Sequence, residues 1–155
     1  MKAISLWQPW ASLITGGAKK IETRSWPYVG PLPVWLAIHA TCTIEPRVKA
    51  MLLETRQGRQ IRDWLETLCG IRSIEALPLG SVVAVARLAA CKPTGTLEET
   101  HPLSEMERAL GDYRGGRFAW ILDRVEFLDR PLPARGAQGL WTWEEPADVK
   151  ALMAS

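Results

Sequence analysis

The sequence predicts a mixed α+β fold, in which a curled β-sheet or barrel is flanked by short helices. Short apolar segments recur along the chain between turns rich in glycine and proline, as expected for many short strands. Helical patterns are few and do not alternate regularly with the strands, which argues against a doubly wound parallel sheet. With 155 residues, the chain has an ordinary size for one domain, and we assign residues 1–155 to it.

The N-terminal part is predicted to contain a strand, a short helix and two further strands. Residues 3–7 alternate as in a strand. Pro9 suits a first helical turn, and an apolar stripe at helical spacing begins at Trp10. The glycine pair at 16–17 ends this helix, because glycine readily adopts the left-handed conformation. The second and third strands are predicted over residues 20–25 and 34–39.

A helical region is predicted over residues 46–68, with a break near Gly58. Its buried stripe is expected to consist of Ile61, Trp64, Leu65 and Leu68. Arg59 and Arg62 share one face of the second helix, with Arg56 beside them. This basic face is either a solvated helix surface or an arm that follows phosphates beside a binding cleft.

The C-terminal half is predicted to be mostly β-structure. Ser104 is the expected N-cap of a short helix that ends at Gly111, and Glu107 stands at capping-box spacing from it. The chain after Glu144 is expected to form a terminal helix or tail. Strands are predicted over residues 79–90, 117–122, 125–128 and 139–143, with a loop over 91–99.

Composition excludes several classes of protein. The formal net charge of +2 is too small to indicate a nucleic-acid binder by itself, so any phosphate site must depend on local clustering. Cys42, Cys69 and Cys91 are odd in number and widely spaced, which argues against a zinc site or a disulfide framework. Neither a signal peptide nor a membrane-spanning run is recognisable, so we expect a cytoplasmic protein without a membrane partner.

Tryptophan is unusually frequent among the aromatic residues. The chain has eight tryptophans against two phenylalanines and two tyrosines. Five of them are expected to serve mainly in core packing: Trp35, Trp64, Trp120, Trp141 and Trp143. The remaining tryptophans lie near the charged segment described next.

The densest group of charges lies in the second predicted strand and in the turn before it. Glu22 and Arg24 are two residues apart, so both point to the same face of an extended strand, and Lys19 lies in the turn that leads to them. Trp7 and Trp10 are close in sequence. Cations beside stacking rings are what a nucleotide requires of a protein surface. The alternative is a solvated hairpin with a surface ion pair.

At this point the sequence resembles a known family. Gly17, Lys19, Glu22 and Arg24 match the G-x-K-x-x-E-x-R signature of ASCH domains, named for homology to activating signal cointegrator. The resemblance extends over segments 5–11, 80–85, 116–120 and 135–141, which are similar to the family's lead-in and later strands. It implies a β-barrel related to the PUA fold, with short flanking helices, a helical insertion, and the ligand cleft under the signature.

The resemblance also implies the class of ligand, namely single-stranded RNA or a nucleotide. No cofactor or metal is expected, because phosphate loops, dinucleotide fingerprints and metal-spaced His/Cys clusters are not found in the sequence. The residues expected to bind the ligand are Trp7, Gln8, Trp10, Lys19, Glu22, Arg24, Trp26, His39, Arg117 and Gln138.

Catalysis is the alternative to simple binding, with Lys19 as a base and Glu22 as a proton shuttle. Some small ASCH-type proteins hydrolyse the acetyl amide of N4-acetylcytidine, using as nucleophile a threonine that stands where this chain has Glu22. Thr23 is adjacent but is expected to point to the opposite strand face.

Ribonuclease activity has also been attributed to the family, and here an imidazole could come only from His39 or His101. His101 is expected at the surface. His39 lies on the strand face away from Leu36 and Ile38, either lining the cleft or serving as a structural histidine. A third class of function, a protein-interaction adaptor, would use the basic helix and leave the cleft empty.

Overall fold

The computed structural model describes residues 1–154. The strands are Lys2–Leu6 (β1), Ile21–Arg24 (β2), Val34–Ala40 (β3), Ser81–Pro93 (β4), Phe118–Pro133 (β5) and Leu140–Thr142 (β6). The helices are Trp10–Thr15 (α1), Pro46–Glu54 (α2), Arg56–Cys69 (α3), Glu105–Leu110 (α4) and Ala147–Ala154 (α5). Two 3₁₀ turns cover Ile74–Ala76 and Thr94–Glu99.

The six strands form one mixed sheet that curls into a half-barrel, as the sequence predicted. Its strand order is β2-β5-β4-β3-β1-β6. The β1–β3 pair is parallel and the other neighbours are antiparallel. Three strands separate β2 from β1, yet the Arg24 guanidinium donates to the Ser5 carbonyl oxygen at 3.0 Å. The curl therefore brings the charged segment of β2 beside the end of β1.

The main core lies on the face of the sheet that carries Leu36 and Ile38, and α1 packs into it through Ala11 and Ile14. Trp120 is 1% exposed and anchors this core. A second apolar cluster holds α2 and α3 against α1. No helix within residues 1–154 is long and apolar enough to cross a membrane.

The third strand is buried on both faces. Ala37 and His39, on the face opposite Leu36 and Ile38, are 0% and 2% exposed. Ala37 packs in a cluster with Trp143 and the C-terminal helix residue Val149. His39 therefore does not lie on a solvated face.

The helical region is broken at Thr55 rather than near Gly58, which corrects the predicted break. Thr55 is at once the C-cap of α2 and the N-cap of α3, where its hydroxyl accepts from the Gly58 amide at 2.9 Å. Gly58 lies inside α3, and a Cβ there would come within 2.0 Å of the Met51 carbonyl oxygen. Glycine is thus needed for close helix packing. Leu68, expected in the buried stripe, is 44% exposed.

The two strands predicted over residues 117–122 and 125–128 are one continuous strand, β5. Asp123 and Arg124 interrupt the apolar pattern, but they lie beside register shifts between β4 and β5 and do not end the strand. The loop predicted over residues 91–99 consists of the end of β4 and a 3₁₀ turn. The final strand and the C-terminal helix lie where they were expected.

Candidate nucleic-acid interface

The turn before β2 directs the lysine of the signature into the protein. Gly17 has φ of 76°, in the left-handed region, and the Lys19 amide donates back to the Leu13 carbonyl at 3.0 Å. The Lys19 side chain is consequently buried, with 1% exposed, and its ammonium donates to the Ile21 carbonyl oxygen. Lys19 is therefore a fixed cation rather than a mobile surface lysine.

The three charged residues of the signature form a continuous ionic array. Lys19 Nζ lies 3.7 Å from Glu22 Oε2, and Arg24 Nε lies 3.5 Å from Glu22 Oε1. Glu22 is 15% exposed, so its carboxylate balances two cations in a partly desolvated site. Burial lowers the pKa of Arg24, with the Glu22 charge raising it and the Arg117 charge lowering it. The guanidinium nevertheless stays charged at neutral pH.

This array lines a cleft of about 570 Å³, which we call the motif cleft. Its residues include Lys19, Glu22, Arg24, Trp7, Trp10, Trp26, Asp112 and Arg117. Trp7 is 54% exposed, an unusual position for so large an apolar ring. The Arg24 guanidinium lies 5.8 Å from the Trp26 ring centroid, within the range of cation–π attraction. The cleft thus presents charge on one side and aromatic faces on the other.

The β2 strand is held in place by two polar groups that the sequence analysis did not assign to the site. Arg117 donates to the carbonyl oxygens of Asp112 and Thr23 at 3.2 and 3.1 Å. A hydrogen bond from Arg114, with further contributions from its backbone and from Arg117, lowers the pKa of Asp112 to about 2. Asp112 therefore remains ionised and fixes Arg117 along the cleft wall.

Glu107 fastens the start of β2. Its carboxylate accepts from the backbone amides of Lys20 and Ile21 at 2.9 and 3.1 Å, and the side chain is 7% exposed. The Tyr113 hydroxyl donates to it at 3.2 Å, and burial together with Glu107 raises the pKa of Tyr113. The capping-box spacing had suggested that Glu107 caps its own helix. Ser104 does accept from the Glu107 amide, but the carboxylate reaches across to β2 instead.

A second cleft of about 720 Å³, which we call the side cleft, adjoins the first. Ser5, Trp7, Arg24 and Trp26 line both clefts, so they form the boundary between them. His39 and Gln138 line the side cleft and not the motif cleft. The predicted convergence of Gln138 on the motif cleft is therefore wrong, because the segment before β6 passes on the other side of Arg24.

His39 is held by a hydrogen-bonded chain across the sheet. Its Nε2 atom lies 3.0 Å from the Ala134 carbonyl oxygen, and its Nδ1 atom lies 3.0 Å from Ser5 Oγ. A carbonyl oxygen only accepts, so Nε2 carries the proton of the neutral ring and Nδ1 accepts from the serine hydroxyl. Trp141 Nε1 donates to the same hydroxyl oxygen at 3.0 Å. Burial lowers the pKa of His39.

Two further sequence candidates lie outside both clefts. Gln8 is 0% exposed, and its amide bonds Ser12 and the Pro78 carbonyl oxygen, which places it in the support of α1. His101 is half-buried and lies 3.1 Å from Thr100 Oγ1. The Thr23 hydroxyl accepts from the Asp112 amide at 3.3 Å, on the strand side away from Glu22. Ser5, Gln57 and Asp112 line the motif cleft without having been predicted.

The structure has the fold of ASCH proteins, which confirms the resemblance at the level of fold. The ASCH protein of Zymomonas mobilis matches with a TM-score of 0.53 and 21% identity, covering 99% of this chain and 93% of that one. Two point mutants of the Zymomonas mobilis protein match with TM-scores of 0.53 and 0.52 and identities of 20% and 22%. They cover 99% of this chain and 96% and 94% of theirs. Comparison with protein-family models and with curated protein sequences gives no match.

Proposed function

We propose that this chain binds single-stranded RNA or a single nucleotide in the motif cleft. The observation that carries the proposal is the ionic array of Lys19, Glu22 and Arg24 at the base of a cleft that has tryptophan walls. A volume of about 570 Å³ falls within the range of small-ligand pockets. Fold similarity alone supports many functions, so the argument rests on this site.

Each part of the cleft has a role in the proposal. Arg24 supplies guanidinium donors for phosphate or base oxygens, and its charge is only partly balanced by the carboxylate it shares with Lys19. Glu22 can accept from an exocyclic amino group of a base. Trp7, exposed at the boundary of the two clefts, offers a face for stacking. The Nε atom of Arg24 has no hydrogen-bond partner within residues 1–154, which leaves a donor of the array unpaired.

The test is a calorimetric titration of the protein with a 5′-mononucleotide and with a single-stranded hexaribonucleotide. We expect Trp7→Ala to weaken binding by about 1–3 kcal/mol, the contribution of one stacked base. Arg24→Gln should weaken it as well. Phe127→Ala removes another exposed aromatic ring, 64% exposed, and Arg124→Gln disrupts another arginine–tryptophan contact, at 5.5 Å from Trp35. Equal losses in these control variants would contradict the assignment of the site.

Hydrolysis of RNA or of a modified nucleoside such as N4-acetylcytidine is the second candidate function. It is favoured by the 3.7 Å separation of Lys19 Nζ and Glu22 Oε2 inside a cleft, since a positioned amine and carboxylate can transfer protons. The test is incubation with N4-acetylcytidine and with single-stranded RNA, followed by chromatography. Turnover that Lys19→Met abolishes would make the protein an enzyme. Binding without turnover would leave the first proposal standing.

A further inference from the structure

A third depression lies on the surface of α3, beside the motif cleft, and we call it the helix groove. Its volume is about 460 Å³, and it is lined by Arg56, Arg59, Gln60, Asp63 and Trp64 of α3. Gln57 and Ala109 complete it. These positions belong to the basic face that the sequence left open between a solvated surface and a phosphate-binding arm.

The helix groove continues directly from the motif cleft. Gln57 and Ala109 line both depressions, and the Gln57 side-chain amide donates to the Ala109 carbonyl oxygen at 3.2 Å. This bond joins α3 to α4 at the shared border. A ligand longer than one nucleotide could therefore pass from one depression to the other over a fixed edge.

The cations of the helix groove differ from several other arginines of the protein in having no acidic partner. Arg56 and Arg59 are exposed, and neither has a carboxylate oxygen within 4.0 Å among residues 1–154. Arg87, Arg108 and Arg114, by contrast, each pair with a carboxylate at 2.6–2.8 Å. Asp63 is the acidic residue that lines the groove, so the cations there outnumber the acids.

Building on the proposed function, we propose that a single strand of RNA bound in the motif cleft continues along the helix groove. Arg56 and Arg59 stand one helical turn apart and would bind phosphates of that strand, whose backbone carries one negative charge per nucleotide. Trp64, half-buried at the groove, offers part of its ring to a base. Asp63 opposes binding by repelling the same phosphates. The preferred ligand is consequently an oligonucleotide of several residues rather than a free nucleotide.

The experiment compares two ligands and two double variants of equal charge change. A 5′-mononucleotide and a single-stranded hexaribonucleotide are titrated into the wild type, into Arg56→Gln/Arg59→Gln, and into the control Arg47→Gln/Lys49→Gln on α2. All four substituted residues are exposed, and melting temperatures verify that each variant folds. The wild type should bind the hexamer more tightly than the mononucleotide.

Neutralising the helix groove should weaken hexamer binding roughly tenfold and reduce the slope of log affinity against log salt by about 0.7 for each lost contact. Mononucleotide binding should be unchanged, and the α2 control should retain hexamer binding. Asp63→Asn should strengthen hexamer binding, an effect of opposite sign.

Failure of this inference can be separated from failure of the proposed function. If the mononucleotide binds but the hexamer binds no more tightly, or if the groove variant and the α2 variant lose equal affinity, the helix groove has no role and the motif cleft remains a nucleotide site. If neither ligand binds the wild type, both proposals are wrong, and a protein partner for the basic helix becomes the better hypothesis.

Discussion

Glu22 and Lys19 form an ion pair of 3.7 Å in which the lysine is 1% and the carboxylate 15% exposed. The same carboxylate lies 3.5 Å from Arg24, so one acidic group balances two cations. Water screens such a pair less than it screens a surface pair. The pair is therefore expected to contribute both to stability and to the shape of the cleft.

Removing the charge of Glu22 should destabilise the protein. Glu22→Gln leaves Lys19 buried beside Arg24 without a counter-charge, and we expect the free energy of unfolding to fall by about 1–3 kcal/mol. Urea denaturation measures this change. Glu98→Gln is the matched control, because its partner Arg108 and Glu98 itself are both more than half exposed, and such pairs contribute about 0–1 kcal/mol. Equal losses in the two variants would show that the Glu22 array is energetically a surface feature.

Glu107 is predicted to be the main support of β2. Glu107→Ala leaves the amides of Lys20 and Ile21 without their acceptors, and a loss of about 2–4 kcal/mol in the free energy of unfolding is expected. Hydrogen exchange of these two amides should accelerate more than exchange elsewhere in the sheet. Glu105→Ala, on the exposed side of the same helix, is the control and should have little effect. Unchanged exchange at Lys20 and Ile21 would contradict the role assigned to Glu107.

The buried imidazole of His39 predicts a dependence of stability on pH. Burial lowers its pKa in the folded state, although the Ala134 carbonyl partly opposes this shift. As pH falls through the unfolded pKa of about 6.5, the unfolded chain takes up a proton that the folded protein does not, so the free energy of unfolding decreases. Above that pH the stabilisation is fully present. Denaturation curves between about pH 7.5 and about pH 5.5 measure the slope.

His39→Gln should flatten this slope, whatever its effect on stability at neutral pH. His101→Gln serves as the control, because His101 is less buried and its recorded partner is the neighbouring Thr100. If both variants keep the wild-type slope, the pH dependence belongs to carboxylates rather than to His39.

Local sequence signals were sufficient to predict the elements that form the motif cleft. Strand parity placed Glu22 and Arg24 on one face, and the glycine pair marked the turn that carries Lys19. These features depend on neighbouring residues only. What could not be predicted was the inward direction of Lys19, because it depends on a hydrogen bond from its amide back to Leu13.

Long-range contacts account for the site residues that were missed or misplaced. Glu107 and Asp112 support β2 from 80 or more positions away in the chain, and nothing in their local patterns indicates a partner there. The Glu107 signal was present as a capping box but was interpreted locally. Gln138 was assigned to the wrong cleft because the curl of the sheet, which sends its segment past Arg24, depends on the register of all six strands.

Indole ¹H–¹⁵N NMR spectra during titration with a single-stranded hexaribonucleotide test the central claim most directly. The eight tryptophans give eight indole signals, which single Trp→Phe variants can assign. Trp7, Trp10 and Trp26 line the motif cleft, whereas Trp120 and Trp143 are buried in the cores at 1% and 9% exposed. Binding in the motif cleft predicts saturable shifts of the Trp7, Trp10 and Trp26 signals while those of Trp120 and Trp143 stay nearly constant. Shifts that leave these three signals unmoved would contradict the account.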